Sequence, residues 1–157
     1  MGEAYTYKVQ TRTIRVSSAI ENIDDLDIAA TPEAAADIIS GILDSSDADV
    51  ELFGILVLDG RHRLVGFKVL NIGTETSATV SPSQVFRVAL VMGARGLILF
   101  HTHPTCDVLP SRDDIELTRR LKDGGGILNV PVHDHIIVSS DGSKWLSLRT
   151  HRPEIFS

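Results

Sequence analysis

Two histidines, a serine and an aspartate lie close together in the stretch FHTHPTCDVLPSRDD, residues 100–114. His101 and His103 are separated by one residue, so in a strand their imidazoles point to the same face. Asp114 would complete a facial set of three ligands suited to Zn²⁺. Three protein ligands leave a fourth position for water, which is the arrangement of a catalytic rather than a structural zinc site.

Metal-assisted hydrolysis also needs a base for the water and a polar group for the oxyanion. Glu51 stands directly before the apolar run LFGILVL, and a carboxylate at the head of a buried strand is a candidate general base. The hydroxyl of Ser111 could lie near the metal water and donate to a developing oxyanion. The sequence therefore predicts a zinc-dependent hydrolase.

The same residues also have purely structural interpretations. Ser111 with Asp114 three positions later is the pattern of a helix capping box. His101 and His103 could be partly buried histidines with hydrogen-bond partners, and Glu51 an exposed residue at a strand end. Capping and catalysis are compatible, because the start of a helix would hold Ser111 rigidly.

The elements that position these residues are indicated by hydrophobic periodicity and by turn and capping signals. A helix that begins at Ser111 is expected to end at the glycines of residues 124–126. Because hairpins and helices are interspersed, we predict an α/β fold of the α+β type, with a mixed sheet and packed helices. The predicted strands are residues 5–16, 50–58, 64–72, 97–100, 132–138 and 144–148, and further helices begin at Thr31-Pro32 and Ser81-Pro82.

Composition limits the class of protein. The 157 residues suit one domain, and a net charge of −6 argues against binding to nucleic acid through bulk positive charge. Cys106 is the only cysteine, which fits a reducing cytoplasm and leaves histidines and carboxylates as the metal ligands. The chain has no apolar run of membrane-spanning length and no apolar signal-peptide core, so we expect a cytoplasmic protein without a membrane partner.

The motifs together resemble a known family. His101-Thr-His-Pro followed by Ser111-x-x-Asp114 looks like the JAMM motif of the JAB1/MPN metalloprotease superfamily. About two thirds of the chain, residues 50–148, resembles its RadC-like JAB branch. The segments that carry this likeness are ELFGILVLD (51–59), SPSQVF (81–86), PSRDDIELTRR (110–120) and DHIIV (134–138).

The resemblance implies a role for each candidate residue. His101, His103 and Asp114 would be zinc ligands, Glu51 the acid/base partner of the metal water, and Ser111 a group that stabilises the tetrahedral intermediate. The implied fold is a curved mixed sheet flanked by helices, in the MPN/JAB (cytidine-deaminase-like) architecture. We expect residues 1–30 to form an N-terminal strand and connection, and residues 31–157 to form the JAB domain. The implied partner is a protein or peptide substrate, including a ubiquitin-like tail.

Two other functions are alternatives. A RadC-type, nucleic-acid-associated protein, either a repair accessory or a metal-dependent nuclease, should bind DNA in a strongly salt-dependent manner. The acidic charge and the lack of a recognisable helix-hairpin-helix pair disfavour it. A non-catalytic interaction module is disfavoured by the complete ligand set. Monomer and dimer both stay open, because the predicted strand at residues 5–16 could pair at a sheet edge.

Three further side chains could act near the site. Cys106 lies where glycine is common in this family's loop, so it is either a fourth metal ligand or an exposed thiol. His133 and His135 flank Asp134, and they either support the site from behind or simply pack.

Overall fold

The computed structural model describes residues 27–44, 51–72 and 80–157. The strand predicted at residues 5–16 lies outside the described residues, and so does most of the loop predicted at residues 73–80. The division of the chain at residues 30 and 31 therefore stays a prediction. In the described segments, no helix is both long enough and apolar enough to cross a membrane.

In the described part of the chain, five strands form one mixed sheet in the order β2-β1-β3-β4-β5, with helices on both faces. Strand β1 pairs antiparallel with β2 and with β3, β3 pairs parallel with β4, and β4 pairs antiparallel with β5. The predicted mixed sheet flanked by helices is thus confirmed. The elements are α1 (Pro32–Asp44), β1 (Leu52–Leu58), β2 (Leu64–Ile72), α2 (Pro82–Val91), β3 (Gly96–His103), α3 (Arg112–Leu128), β4 (Val132–Ser139), β5 (Trp145–Ser147) and α4 (Leu148–His151), followed by one 3₁₀ turn, Pro153–Ile155.

Both faces of the sheet are covered, which explains the unbroken apolar runs of β1 and β3. Alternate residues of these strands, such as Leu56 and Phe100, pack against α1 on one face. The intervening residues, such as Ile55 and Leu99, pack against α2 and α3 on the other face. Because His101 follows Leu99 by two positions, its side chain points toward the face covered by α2 and α3.

Two helix starts follow the capping patterns of the sequence. Ser81 accepts a hydrogen bond from the backbone N–H of Gln84, and Pro82 is the first residue of α2. The side-chain amide of Gln84 donates to the Leu70 carbonyl, which ties α2 to β2. At α3 both halves of the capping box are present, between Ser111 and Asp114.

The prediction that the glycine run ends α3 was wrong. The helix continues through Leu128 and is closed by Asn129, which has a left-handed φ of 58°. Gly124 and Gly125 allow close packing instead. A Cβ on Gly125 would lie 2.4 Å from the carbonyl oxygen of Val130, and one on Gly124 would lie 3.0 Å from the ring of Phe86.

Candidate metal centre

The end of β3 and the first turn of α3 bring together His101, His103 and Asp114. Their potential ligand atoms all lie within 4.8 Å of one another. Nε2 of His101 is 3.2 Å from Oδ1 of Asp114, and Nε2 of His103 is 3.3 Å from Oδ2. The side chains of His101 and Asp114 are 2% exposed, whereas that of His103 is 16% exposed, so the centre opens toward solvent on the His103 side.

Asp114 takes part in the capping box and in this cluster at once. Its Oδ2 accepts hydrogen bonds from the backbone N–H and from the hydroxyl of Ser111, both at 2.7 Å. The Ser111 hydroxyl oxygen in turn accepts from the backbone N–H of Asp114 at 3.1 Å. The structural and the chemical interpretations of this pair therefore hold together, and the cap fixes the carboxylate toward the histidines.

The electrostatics keep Asp114 ionised. Burial alone would raise the pKa of its carboxyl, but hydrogen bonds from His103 and Ser111 hold that pKa far below its usual range. The hydrogen bond with Asp114 raises the pKa of His103, against the effect of burial. The negative charge of Glu51 adds to this rise.

The Nδ1 atoms of the two histidines have different partners. Nδ1 of His103 lies 2.9 Å from the backbone carbonyl of Asp107, to which it donates. Nδ1 of His101 lies 2.8 Å from Nε2 of His135, in the interior. In both residues Nε2 is left to face Asp114.

His135 contacts the centre and His133 does not. Nδ1 of His135 lies 2.7 Å from the hydroxyl oxygen of Thr118, and burial holds the pKa of this imidazole well below its ordinary value. His133 packs instead against His62, with ring centroids 4.6 Å apart. Sequence reasoning did not single out Thr118. The available signal was a hydroxyl among the apolar residues on the buried face of α3.

The environment of Nε2 of His101 indicates whether this cluster suits a metal ion. Nε2 of His101 is inaccessible to solvent and makes no hydrogen bond of acceptable geometry with any residue that the structure describes, although Oδ1 of Asp114 is only 3.2 Å away. Such an orphaned polar atom needs an explanation, and a cation between the imidazole and the carboxylate supplies one. Two imidazoles and a carboxylate are ligands that zinc accepts. The cluster could therefore bind a metal ion.

Glu51 and Ser111 lie beside this cluster. Glu51 is half-buried and directly precedes β1, and its charge acts on His103. The backbone N–H of the next residue, Leu52, donates to the Thr102 hydroxyl at 2.8 Å, which holds the start of β1 against the histidine strand. Cys106 is exposed and lies outside the group of three potential ligands, which favours its interpretation as a loop thiol.

Most of the chain is similar to known proteins. The model of the RadC-like JAB domain family matches residues 29–153. A UPF0758 protein of Trichodesmium erythraeum is 39% identical over 116 residues, which are 74% of this chain and 47% of that protein. A UPF0758 protein of Finegoldia magna is 40% identical over 118 residues, 75% of this chain and 51% of that protein. The chain thus spans about half the length of these relatives.

Proposed function

This chain belongs to the RadC-like JAB domain family, and from that membership we propose that it is a zinc-dependent peptidase or isopeptidase of the JAMM type. The observation that carries the proposal is the buried, unpartnered Nε2 of His101, which faces the ionised carboxylate of Asp114. The proposed zinc ligands are Nε2 of His101, Nε2 of His103 and the Asp114 carboxylate. When bound, zinc would acidify water and polarise the scissile carbonyl.

Glu51 is the proposed general base. Its carboxylate takes a proton from the attacking water and returns it to the nitrogen of the leaving amine. Its place before β1 supports this role, because the Leu52–Thr102 hydrogen bond fixes the neighbouring backbone against the strand that carries the histidines. The electrostatic effect of Glu51 on His103 supports it as well.

Ser111 is the proposed donor to the carbonyl oxygen as negative charge develops there. In the structure its hydroxyl donates to Oδ2 of Asp114, so donation to substrate requires the hydroxyl to turn. Oδ2 keeps the backbone N–H of Ser111 at 2.7 Å when it does so. The carboxylate is therefore still held while the side chain of Ser111 is used.

The proposed substrate is an extended peptide or a protein tail, including a ubiquitin-like tail, in a cytoplasmic setting. The resemblance to the JAB1/MPN superfamily supports this class of substrate. The geometry supports entry from the side of His103, because the other two members of the cluster are 2% exposed. The exposed loop at residues 104–107 borders that side.

Metal analysis and a cleavage screen test the proposal with Glu51→Gln and His103→Ala. Substrates would be peptides and fusions to a ubiquitin-like protein. We expect Glu51→Gln to bind zinc as wild type does but to lose about 10²–10⁴-fold in turnover, the usual contribution of a general base. His103→Ala should lose zinc. The matched control is Glu33→Gln, an exposed acid in the first turn of α1, which should leave both properties unchanged.

Two results would reject the proposal. Full turnover by Glu51→Gln would remove Glu51 as the base. Purified wild type that takes up no zinc from a zinc-buffered solution would remove the metallohydrolase itself.

A further inference from the structure

We propose that Thr118 and His135 are positioning residues that fix the tautomer of His101, through a buried hydrogen-bond circuit that starts and ends on proposed metal ligands. The inference rests on the proposed metal site and adds two side chains to it. The circuit connects β3, β4 and α3, the elements that carry His101, His135 and Thr118.

Three short contacts form the circuit. Nδ1 of His101 is 2.8 Å from Nε2 of His135, and Nδ1 of His135 is 2.7 Å from Oγ1 of Thr118. Oγ1 of Thr118 is 2.6 Å from the backbone carbonyl oxygen of Asp114. All four residues are at most 2% exposed, so bulk water does not compete for these hydrogen bonds.

The carbonyl of Asp114 sets the direction of the first proton. A carbonyl oxygen carries no proton, so two oxygens 2.6 Å apart require the Thr118 hydroxyl to donate. That hydroxyl has one proton only. Oγ1 must therefore accept from His135, which places a proton on Nδ1 of His135.

The remaining protons follow along the circuit. The partners that the structure gives His135 are Thr118 and His101, neither of them an acid, and a second proton would put a charge on a fully buried ring. Nε2 of His135 therefore accepts, and Nδ1 of His101 donates to it. This leaves a lone pair on Nε2 of His101, directed at the Asp114 carboxylate 3.2 Å away. The circuit thus presents His101 in the tautomer that binds a metal through Nε2.

His103 shows why only one histidine needs such a circuit. Its Nδ1 donates to the backbone carbonyl of Asp107 at 2.9 Å, and a carbonyl can only accept. In the neutral ring, this one contact is enough to leave the lone pair on Nε2 of His103. Nδ1 of His101 faces another imidazole, which can donate or accept, so its direction depends on Thr118.

Removing the Thr118 hydroxyl should therefore reverse the circuit. In Thr118→Val the Nδ1–H of His135 loses its acceptor, and an unpaired buried N–H is less favourable than an unpaired nitrogen lone pair. The proton of His135 moves to Nε2, which then donates to Nδ1 of His101. The proton of His101 is displaced to Nε2, the atom that must bind the metal. Thr118→Ser keeps a hydroxyl and should keep the original direction.

The experiment compares wild type, Thr118→Val, Thr118→Ser and the control Thr150→Val, whose side chain is exposed on α4. Zinc affinity is measured by competition with a chromophoric chelator, after urea unfolding confirms that each variant is folded. We expect Thr118→Val to bind about 10–100-fold more weakly, the usual effect of losing the partner of a ligating histidine. Thr118→Ser and Thr150→Val should bind as wild type does.

A second readout needs neither metal nor activity. Long-range ¹H–¹⁵N correlation spectra of the metal-free protein report which ring nitrogen carries the proton. Wild-type His101 should be protonated on Nδ1, and His101 in Thr118→Val on Nε2. This measurement on wild type alone tests the circuit even where the valine variant does not fold.

The inference is overturned by wild-type zinc affinity in Thr118→Val, by equal weakening in Thr118→Ser, or by an Nε2 proton on His101 in the wild type. Failure of the proposed function looks different. A Glu51→Gln variant with full turnover, or a wild type that takes up no zinc, contradicts that function while the tautomer spectrum still reports on the circuit.

Discussion

Asp114 illustrates how much one side chain can do at the residue scale. Its carboxylate caps α3 and faces both histidines, and its backbone carbonyl anchors Thr118. Sequence spacing predicted the first two properties, because i and i+2 in a strand share a face and a serine three residues before an acid is a capping pattern. The third is a local i to i−4 contact within α3, but its connection to His101 could not be predicted, because that depends on where β4 places His135.

His103 makes the stability of the metal-free protein depend on pH. The pKa of His103 in the folded state is raised above 6.5, its ordinary value. At a pH between 6.5 and the raised pKa, the folded protein therefore keeps a proton on His103 that the unfolded protein has lost. The stabilisation that this proton gives the folded state is fully present below pH 6.5 and is lost as the pH rises through the raised pKa. In excess chelator, the free energy of unfolding of wild type should therefore fall relative to that of His103→Gln as the pH is raised above 6.5. Urea titrations measure it, and parallel pH profiles would contradict it.

At the scale of elements, α3 shows where sequence rules fail. Three consecutive glycines predict a helix end when only local propensity is considered. The helix continues because Gly124 and Gly125 allow close approach of Phe86 and of the chain at Val130. The contact with Phe86 is tertiary, so no short window along the sequence contains it, and the contact with Val130 forms only in the turn that closes the helix. The β1–β2 hairpin was predictable, since its turn signal, Asp59-Gly60, lies between two adjacent apolar runs.

Gly125→Ala and Gly126→Ala should change stability in opposite directions. The new Cβ at position 125 would lie 2.4 Å from a backbone oxygen, and such overpacking costs about 1–3 kcal/mol. At position 126 no atom of the described residues lies within 4 Å of the new Cβ, so the helix gains about 0.5–1 kcal/mol from the better propensity of alanine. Urea unfolding of the two variants measures both changes. If the two variants had equal free energies of unfolding, close packing would not be the reason for glycine at position 125.

At the scale of the whole molecule, the candidate centre lies at one end of the middle strand of the described sheet. Strand β3 pairs with β1, whose partner residues lie 38 to 48 positions away in sequence, and with β4. This order was not predictable from the sequence, because periodicity identifies strands and does not say which strands pair over long separations. Metal binding should consequently be coupled to global unfolding rather than to the opening of one loop.

Zinc should therefore raise the stability of the whole domain. A ligand that binds only the folded state adds about 2.7 kcal/mol when its free concentration is 100 times Kd. Thermal unfolding in zinc-buffered solution should show this gain for wild type, and chelator should remove it. Asp114→Ala should melt at the same temperature in zinc and in chelator. If the melting temperature of wild type were the same in zinc and in chelator, zinc binding would not be coupled to global unfolding.

The hydrogen bond between Leu52 and Thr102 has a consequence for protein engineering. Thr102 lies between the two histidines and points to the opposite face of β3, where it accepts from the backbone beside Glu51. The segment of β3 that carries both imidazoles therefore also holds the backbone next to Glu51 in place. A graft of residues 101–114 onto a foreign scaffold would transfer three ligands and leave the acid behind. A working transplant must carry the two paired strands together, threonine included.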